Sequence, residues 1–292
     1  MKVRKAVVPA AGFGTRFLPV TRSVPKVLLP ILDTPSVHYI VQEAALAGIV
    51  EIIMVISEGQ EAISRYFRRM PKLENALRKR GQTELLQRME AIPDMATIRY
   101  VHQMQPLGLG HAVSTARDIV GDEPFAVFLP DDLIWSEKPT IGSMIEVFER
   151  VGASVIAVRE VPREQVSSLG VIDPEPAGDR LYRIRRMVEK PKPEDAPSNL
   201  GIVGRYVLTP QVFDELARGR PGAIGEIQLT DALDAVARSQ GAYAYRFPGM
   251  HFDVGVPAGL LKASAHVAMQ RKDVAPSVRE WLRDLAEGRP SR

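Results

Sequence analysis

The chain has 292 residues, 45% of them hydrophobic, with 38 basic against 35 acidic side chains and no cysteine. That length and apolar content provide a sizeable core for one large α/β domain or two small ones, and disorder is not the default. A net charge of +3 offers no basic nucleic-acid groove, Arg78-Lys79-Arg80 reading as a solvated helix face, and the missing cysteines exclude disulfides, thiolate metal sites and cysteine catalysis.

The N-terminus runs Met1-Lys2-Val3-Arg4-Lys5 directly into a predicted strand, without a leader-type apolar region. No stretch approaches the ~18 consecutive apolar residues of a membrane span. A cytoplasmic protein with no membrane or nucleic-acid partner is expected. The strand ends in Val7-Val8-Pro9-Ala10-Ala11-Gly12-Phe13-Gly14-Thr15-Arg16, and Pro25-Lys26 follows. Small residues and glycines let backbone N–H groups approach a polyphosphate, and glycine reaches backbone angles closed to other residues. Arg16 as a rigid fork and Lys26 as a mobile point charge can neutralise such a ligand. The string is neither a P-loop nor a dinucleotide turn, since it lacks both the Gly-Lys-Ser/Thr ending and a third glycine. On residues alone, a plain strand-to-helix turn with solvated Arg16 and Lys26 is equally compatible.

Helical spacing over Val37 to Ala47 ends at Gly48, a suitable C-cap residue, and Glu51 to Ser57 is a buried β-branched strand. Helix between strands is the alternation of a doubly wound sheet. Pro71 to Met95 reads as an inserted helical region whose Leu73, Leu77, Leu85, Leu86 and Met89 are packing residues. The strand Thr97 to Val101 leads into Gln103, Gly108, Gly110 and His111. This second glycine pair admits a planar base, and the Gln103 amide matches a pyrimidine edge. His111 is expected to serve as a structural hydrogen-bonding residue. The strand Pro124 to Leu129 ends in Asp131 and Asp132, at the sheet edge where ligands of open α/β folds collect. A carboxylate there can hold Mg²⁺ facing a triphosphate, whereas Asp132 can equally be a turn or capping residue.

In the second half, Ala153 to Val158 is a strand, Gly170 opens another, and Glu189-Lys190 precede a proline-rich loop. Gly225-Glu226-Ile227-Gln228-Leu229-Thr230-Asp231 starts a helix, where capping and site support are the expected roles of Thr230 and Asp231. Asp253 and Gly255 follow the strand Tyr243 to Phe247, and two C-terminal helices lie around Ala263–Met269 and Val278–Leu285, before a frayed end.

Taken together, A-A-G-x-G-T-R and P-K, Q-x-x-P-x-G-L-G-H-A, L-P-D, V-E-K-P, G-E-I-Q-L-T-D and D-x-G resemble the motif series of sugar-1-phosphate nucleotidyltransferases. The helical insertion and the G-E-I-Q-L-T-D segment resemble the bacterial uridylyltransferases of that family, while shorter thymidylyltransferase relatives lack the insertion. The resemblance implies a Rossmann-like three-layer α/β/α fold with a mixed, mostly parallel central sheet. It implies a single domain over 1–292, with a nucleotide half at about 1–135, a sugar-phosphate half at about 136–258, and C-terminal helices beyond.

It further implies transfer of UMP from UTP to glucose 1-phosphate with Mg²⁺ as cofactor, in a homodimer or homotetramer; the alternatives are a thymidylyl- or cytidylyltransferase, a uridylyltransferase acting on another sugar 1-phosphate, and a non-catalytic sugar-nucleotide-binding paralogue. Asp131 and Asp253 would hold the metal; Arg16, Lys26 and Lys190 would act on the phosphates. Ala10, Ala11, Gly12, Gly14, Thr15, Gln103 and Gly108 would bind the nucleotide, and Gly170, Glu189, Gly204 and Glu226 the sugar. Three places depart from the family pattern: Val27 where a Glu is usual, Thr34 where a Lys is usual, and Val256-Pro257 where a polar pair is usual.

Overall fold

In the computed structural model, which describes residues 2–219 and 225–288, nine strands form one twisted sheet. The spatial order is Thr97–His102, Glu51–Ile56, Lys5–Pro9, Phe125–Phe128, Leu200–Leu208, Ser154–Glu160, Ala242–Arg246, Leu181–Glu189 and Gly170–Gly178. The first four run parallel. Leu200–Leu208 is antiparallel to both its neighbours, Ser154–Glu160 pairs in parallel with Ala242–Arg246, and the final hairpin is antiparallel. Parallel pairing therefore dominates before about residue 135, and antiparallel pairing after it. The sheet and both apolar layers draw on residues from either side of position 135.

The strand Lys5–Pro9 shows how three layers arise from a buried strand of period two. Ala6 and Val8 enter an apolar layer with Ser36–Leu46, Thr140–Val151 and Pro257–Gln270, whereas Val7 enters one with Leu109–Ser114, Val212–Arg218 and Leu229–Gln240. Helices on both faces leave no solvated side, so this strand carries no alternation of polar residues. Leu200–Leu208 is buried at every position.

The insertion forms two helices, Pro71–Lys79 and Thr83–Ala91, separated by Gly81 at φ +68°. Leu77 and Leu86 are buried and Met89 packs on the core, while Leu73 and Leu85 remain exposed. Glu74 caps the first helix, accepting from the Met70 N–H at 3.0 Å and from Arg69 at 2.8 Å. Pro257 begins its helix at the first turn, where a missing N–H costs nothing, which accounts for the Val256-Pro257 departure in local terms. Thr34 bonds the adjacent Asp33 at a surface turn. The C-terminal helices are Pro257–Gln270 and Ala275–Ala286, and the expected frayed end falls outside the described residues. No helix among the described residues is long and apolar enough to cross a membrane.

Candidate active site

A cavity of about 350 Å³ opens at the carboxyl ends of the parallel strands. Ala10, Ala11, Gly12 and Phe13 form one wall, Gln103 and Gly108 another, and Lys26 and Asp131 are part of its lining. The loop leaves the sheet after the Ala10 N–H donates to the Val55 carbonyl at 2.7 Å. A Cβ on Gly12 would meet no protein atom within 4 Å, so its bare face is open to a ligand. Gly14, at φ +66°, is constrained differently: a Cβ there would lie 2.9 Å from Lys26 Cβ and 3.0 Å from Thr21 Cγ2. Gly14 therefore lets the Lys26 stem cross the loop, and it supports the cavity without lining it.

Thr15 and Arg16 begin the short turn Thr15–Phe17 and are likewise absent from the lining. Arg16 is exposed and has no hydrogen bond or ion pair among the described residues. Lys26 instead reaches Asp131 Oδ2 at 2.7 Å. Val27, only 2% exposed, takes its place in the apolar core and also lines the cavity, with its carbonyl accepting from Ser36 Oγ at 3.1 Å. A carboxylate at this position would need a partner the core does not provide.

Two acids meet through a contact that the sequence does not announce. Asp132–Trp135 forms a small antiparallel ladder with Met250–Asp253, in which Asp132 stands opposite Asp253. The Val254 N–H donates to the Asp131 carbonyl at 2.7 Å, and the Asp131 and Asp253 carboxylates converge on Gly255. A Cβ on Gly255 would lie 2.7 Å from Asp131 Oδ2 and 2.9 Å from Asp253 Oδ1. Asp253 titrates above the ordinary carboxylate value, because it loses solvent and faces the charges of Asp132 and Asp131; the Gly255 N–H only partly offsets this. Two crowded carboxylates suit a small divalent cation that fills its remaining positions with phosphate oxygens and water. Among the described residues no cluster of three or more His, Asp or Glu forms an all-protein metal cage.

Asp132 has a separate task. Burial alone would raise its pKa, but the His251 ring at 2.5 Å, the charge of Arg205 and the Gly204 N–H at 3.0 Å outweigh burial and hold it below the usual range. Gly204 is thereby tied to the acid-bearing strand end, where a Cβ would collide with Leu129 Cβ and Asp132 Oδ2. Its evident constraint is this packing. Beneath it, fully buried Arg205 donates to Glu43 Oε2 from Nε at 3.0 Å and from Nη2 at 2.8 Å, and to the Leu129 and Gly204 carbonyls.

In the final hairpin, Gly170 lies opposite Glu189. A Cβ on Gly170 would stand 3.2 Å from both Glu189 Oε2 and Thr230 Oγ1. Thr230 donates to Glu189 at 2.7 Å, so its role is site support; its helix has no side-chain cap. Lys190 pairs with Glu189 at 3.5 Å and holds φ at +47°, a conformation a non-glycine residue adopts only when its surroundings enforce it. Tyr206, buried between the groups, has its hydroxyl pushed upward by burial and by Asp132, Glu189 and Asp131.

Glu226 lines the cavity with Gln103 and Gly108, its Cβ lying where a Cβ on Gly108 would come within 2.8 Å. The Gly225-to-Thr230 segment runs along the loop from Gln103 to Gly110, with Ile227 N–H donating to Leu107 O at 2.7 Å and Gly110 N–H donating to Ile227 O at 2.9 Å. Gly108 at φ +96° is required by that contact, since a Cβ would lie 2.8 Å from Glu226 Cβ. One short segment thus braces the Gln103-to-Gly110 loop and, through Thr230, holds Glu189.

The glycine loop, the Lys26–Asp131 pair and Asp253 thus gather at one edge of a doubly wound sheet. Residues 5–270 match the nucleotidyl transferase family, and the chain belongs to that family. Within it, the chain is 46% identical to UTP–glucose-1-phosphate uridylyltransferase 2 of Staphylococcus saprophyticus, over 97% of this chain and 98% of that protein. It is 44% identical to the UTP–glucose-1-phosphate uridylyltransferase of Bacillus subtilis, over 97% of each. A UDP-glucose pyrophosphorylase solved with UDP-glucose superposes with a TM-score of 0.84 at 40% identity, covering 92% of this chain and all of that one. A UTP-bound enzyme of the same kind from Acinetobacter baumannii gives 0.89 at 36% identity, covering 97% and 99%.

Proposed function

We propose that the protein transfers UMP from UTP to glucose 1-phosphate, giving UDP-glucose and pyrophosphate. The observation that carries this reading is a single cavity in which Lys26 meets Asp131 at 2.7 Å, near Asp253, opposite a wall formed by Gln103 and Gly108. Its relatives, named for this reaction, supply the substrate identities.

The attacking sugar-phosphate oxygen is already anionic, so no general base or protein nucleophile is required. It forms a bond to the α-phosphorus while the bond from that phosphorus to the bridging oxygen breaks, and pyrophosphate carries the electron pair away. The obstacle is repulsion between two anions, which positioned cations and backbone donors reduce. Ala10, Ala11 and Gly12 let backbone approach the nucleotide, and Gln103 and Gly108 meet the base. Lys26 neutralises the triphosphate, with the exposed Arg16 of the same loop as the second cation. Glu189, oriented by Thr230, accepts from sugar hydroxyls beside Gly170, and Lys190 orients the attacking phosphate. Asp131 and Asp253 would hold Mg²⁺, which adds positive charge at the phosphates when bound.

Pyrophosphate release, measured with Mg²⁺ across a matrix of nucleoside triphosphates and sugar 1-phosphates, tests the reading. UTP with glucose 1-phosphate is expected to be the best pair. Preference for dTTP or CTP overturns the base assignment, preference for another sugar overturns the acceptor, and silence throughout overturns catalysis.

A further inference from the structure

The base wall contains a side chain that the proposed reaction leaves without a task. His111 is the third residue of the helix Leu109–Ser114, and its Nδ1 lies 2.9 Å from Gln103 Nε2. The same Gln103 nitrogen lies 3.2 Å from the Gly108 carbonyl oxygen. A carbonyl can only accept, so the amide NH₂ group must face Gly108. One amide hydrogen goes to that carbonyl and the other to His111 Nδ1, which must therefore be unprotonated, with the ring proton on Nε2.

Both Gln103 hydrogens are thus consumed inside the protein, and its Oε1 has no hydrogen-bond partner among the described residues. What Gln103 offers the cavity is an acceptor alone. We propose that His111 sets base selectivity by locking the Gln103 amide with its oxygen toward the nucleobase. The inference rests on reading this cavity as the nucleoside site. Uracil and thymine carry an N3–H that this acceptor can receive. Cytosine presents a bare N3 lone pair, and two acceptors facing each other leave both unpaired, the kind of mismatch that discriminates strongly. Without His111 only Gly108 favours this orientation, and the amide can turn to offer its NH₂ to cytosine instead. His111 is a positioning residue, since it acts on the base only through Gln103.

The test measures binding of UTP and of CTP by calorimetry in parallel with turnover, for the wild type, His111→Leu and His111→Asn. Leucine fills the space without accepting, whereas asparagine can present an amide oxygen near the place of Nδ1. The ratio of UTP to CTP affinity is expected to fall about tenfold in His111→Leu, the scale of one well-formed hydrogen bond, and to recover in His111→Asn. An unchanged ratio in His111→Leu, or equal losses for both nucleotides, overturns the inference; His111→Ala repeats the comparison if the leucine variant is unstable. Failure of turnover in the wild type strikes the proposed reaction, while the binding ratio still judges His111.

Discussion

Replacing Arg205 by Met tests whether the buried ion pair beneath the acids holds the site together. Arg205 is 0% exposed, and the Glu43 side chain opposite it is 12% exposed. The guanidinium also lies 4.8 Å from the Phe128 ring centroid and binds the carbonyls of Leu129 and Gly204. Those two carbonyls keep backbone donors without it, because Asp132 N–H reaches Leu129 O and Leu129 N–H reaches Gly204 O. The cost of Arg205→Met therefore arises mainly at Glu43, left as an unpaired charge. Breaking such a pair costs about 3–5 kcal/mol. Glu43 retains the Ile141 N–H at 3.1 Å and some solvent, which places the expectation near the lower end, about 3 kcal/mol. For domains of 150–250 residues that is a fall in melting temperature of roughly 6–12 °C, and somewhat less for a longer chain.

Adding Glu43→Gln removes the stranded charge while keeping an acceptor for Ile141, so the double variant should regain at least about half of the loss. Urea unfolding of the two single variants and the double variant measures the coupling. A single-variant cost below about 1 kcal/mol, or a double variant less stable than Arg205→Met, refutes the reasoning.

The remaining expectations concern the acids and the sugar side. Asp131→Ala removes the partner of Lys26 and one of the convergent carboxylates, and turnover should fall by at least about 10²–10³-fold with a cooperative melt retained; near-normal rates would remove Asp131 from the reaction. Asp253 has a native pKa raised above its ordinary value of 3.8, so the folded state holds its proton more tightly and loses stability as pH rises through that raised value. Asp253→Asn should therefore melt higher than the wild type near neutral pH, lose the advantage as pH falls toward the ordinary value, and be inactive. An advantage that is the same at both ends of the pH range would show another cause. Thr230→Val keeps the shape but deletes the bond to Glu189, and should raise KM for glucose 1-phosphate about fivefold with KM for UTP unchanged, on the scale of one hydrogen bond. An effect confined to UTP would place Glu189 on the wrong side of the site.

Local chemistry made much of the molecule legible in one dimension. The strand Lys5–Pro9, its glycine loop, the inserted helix pair and the Gly48 turn all depend on neighbours within a few residues, so periodicity and turn residues reveal them. Lys26, Gln103, Gly108 and Asp131 likewise belong to loops leaving parallel strands, and such loops converge at one edge of any doubly wound sheet.

What the chain could not announce lies in contacts between distant segments. Asp132 was open to a turn reading because its partners, His251 and Gly204, are 119 and 72 residues away. Glu226 lies beside Gly108 because Ile227 bonds the backbone of Leu107 and Gly110, more than 110 residues away in the chain. Gly204 proved to be constrained by packing under the acids, and Gly14 by the crossing Lys26 stem. The sequence by itself determined the class of fold and the family of its chemistry, because both follow from local propensity and strung motifs, whereas the spatial order of the strands is set by long-range pairing. Only the tertiary structure decided which of these polar groups are held and by what, because hydrogen bonds such as those holding Glu189, Asp132 and Arg205 are completed by residues that only folding brings near.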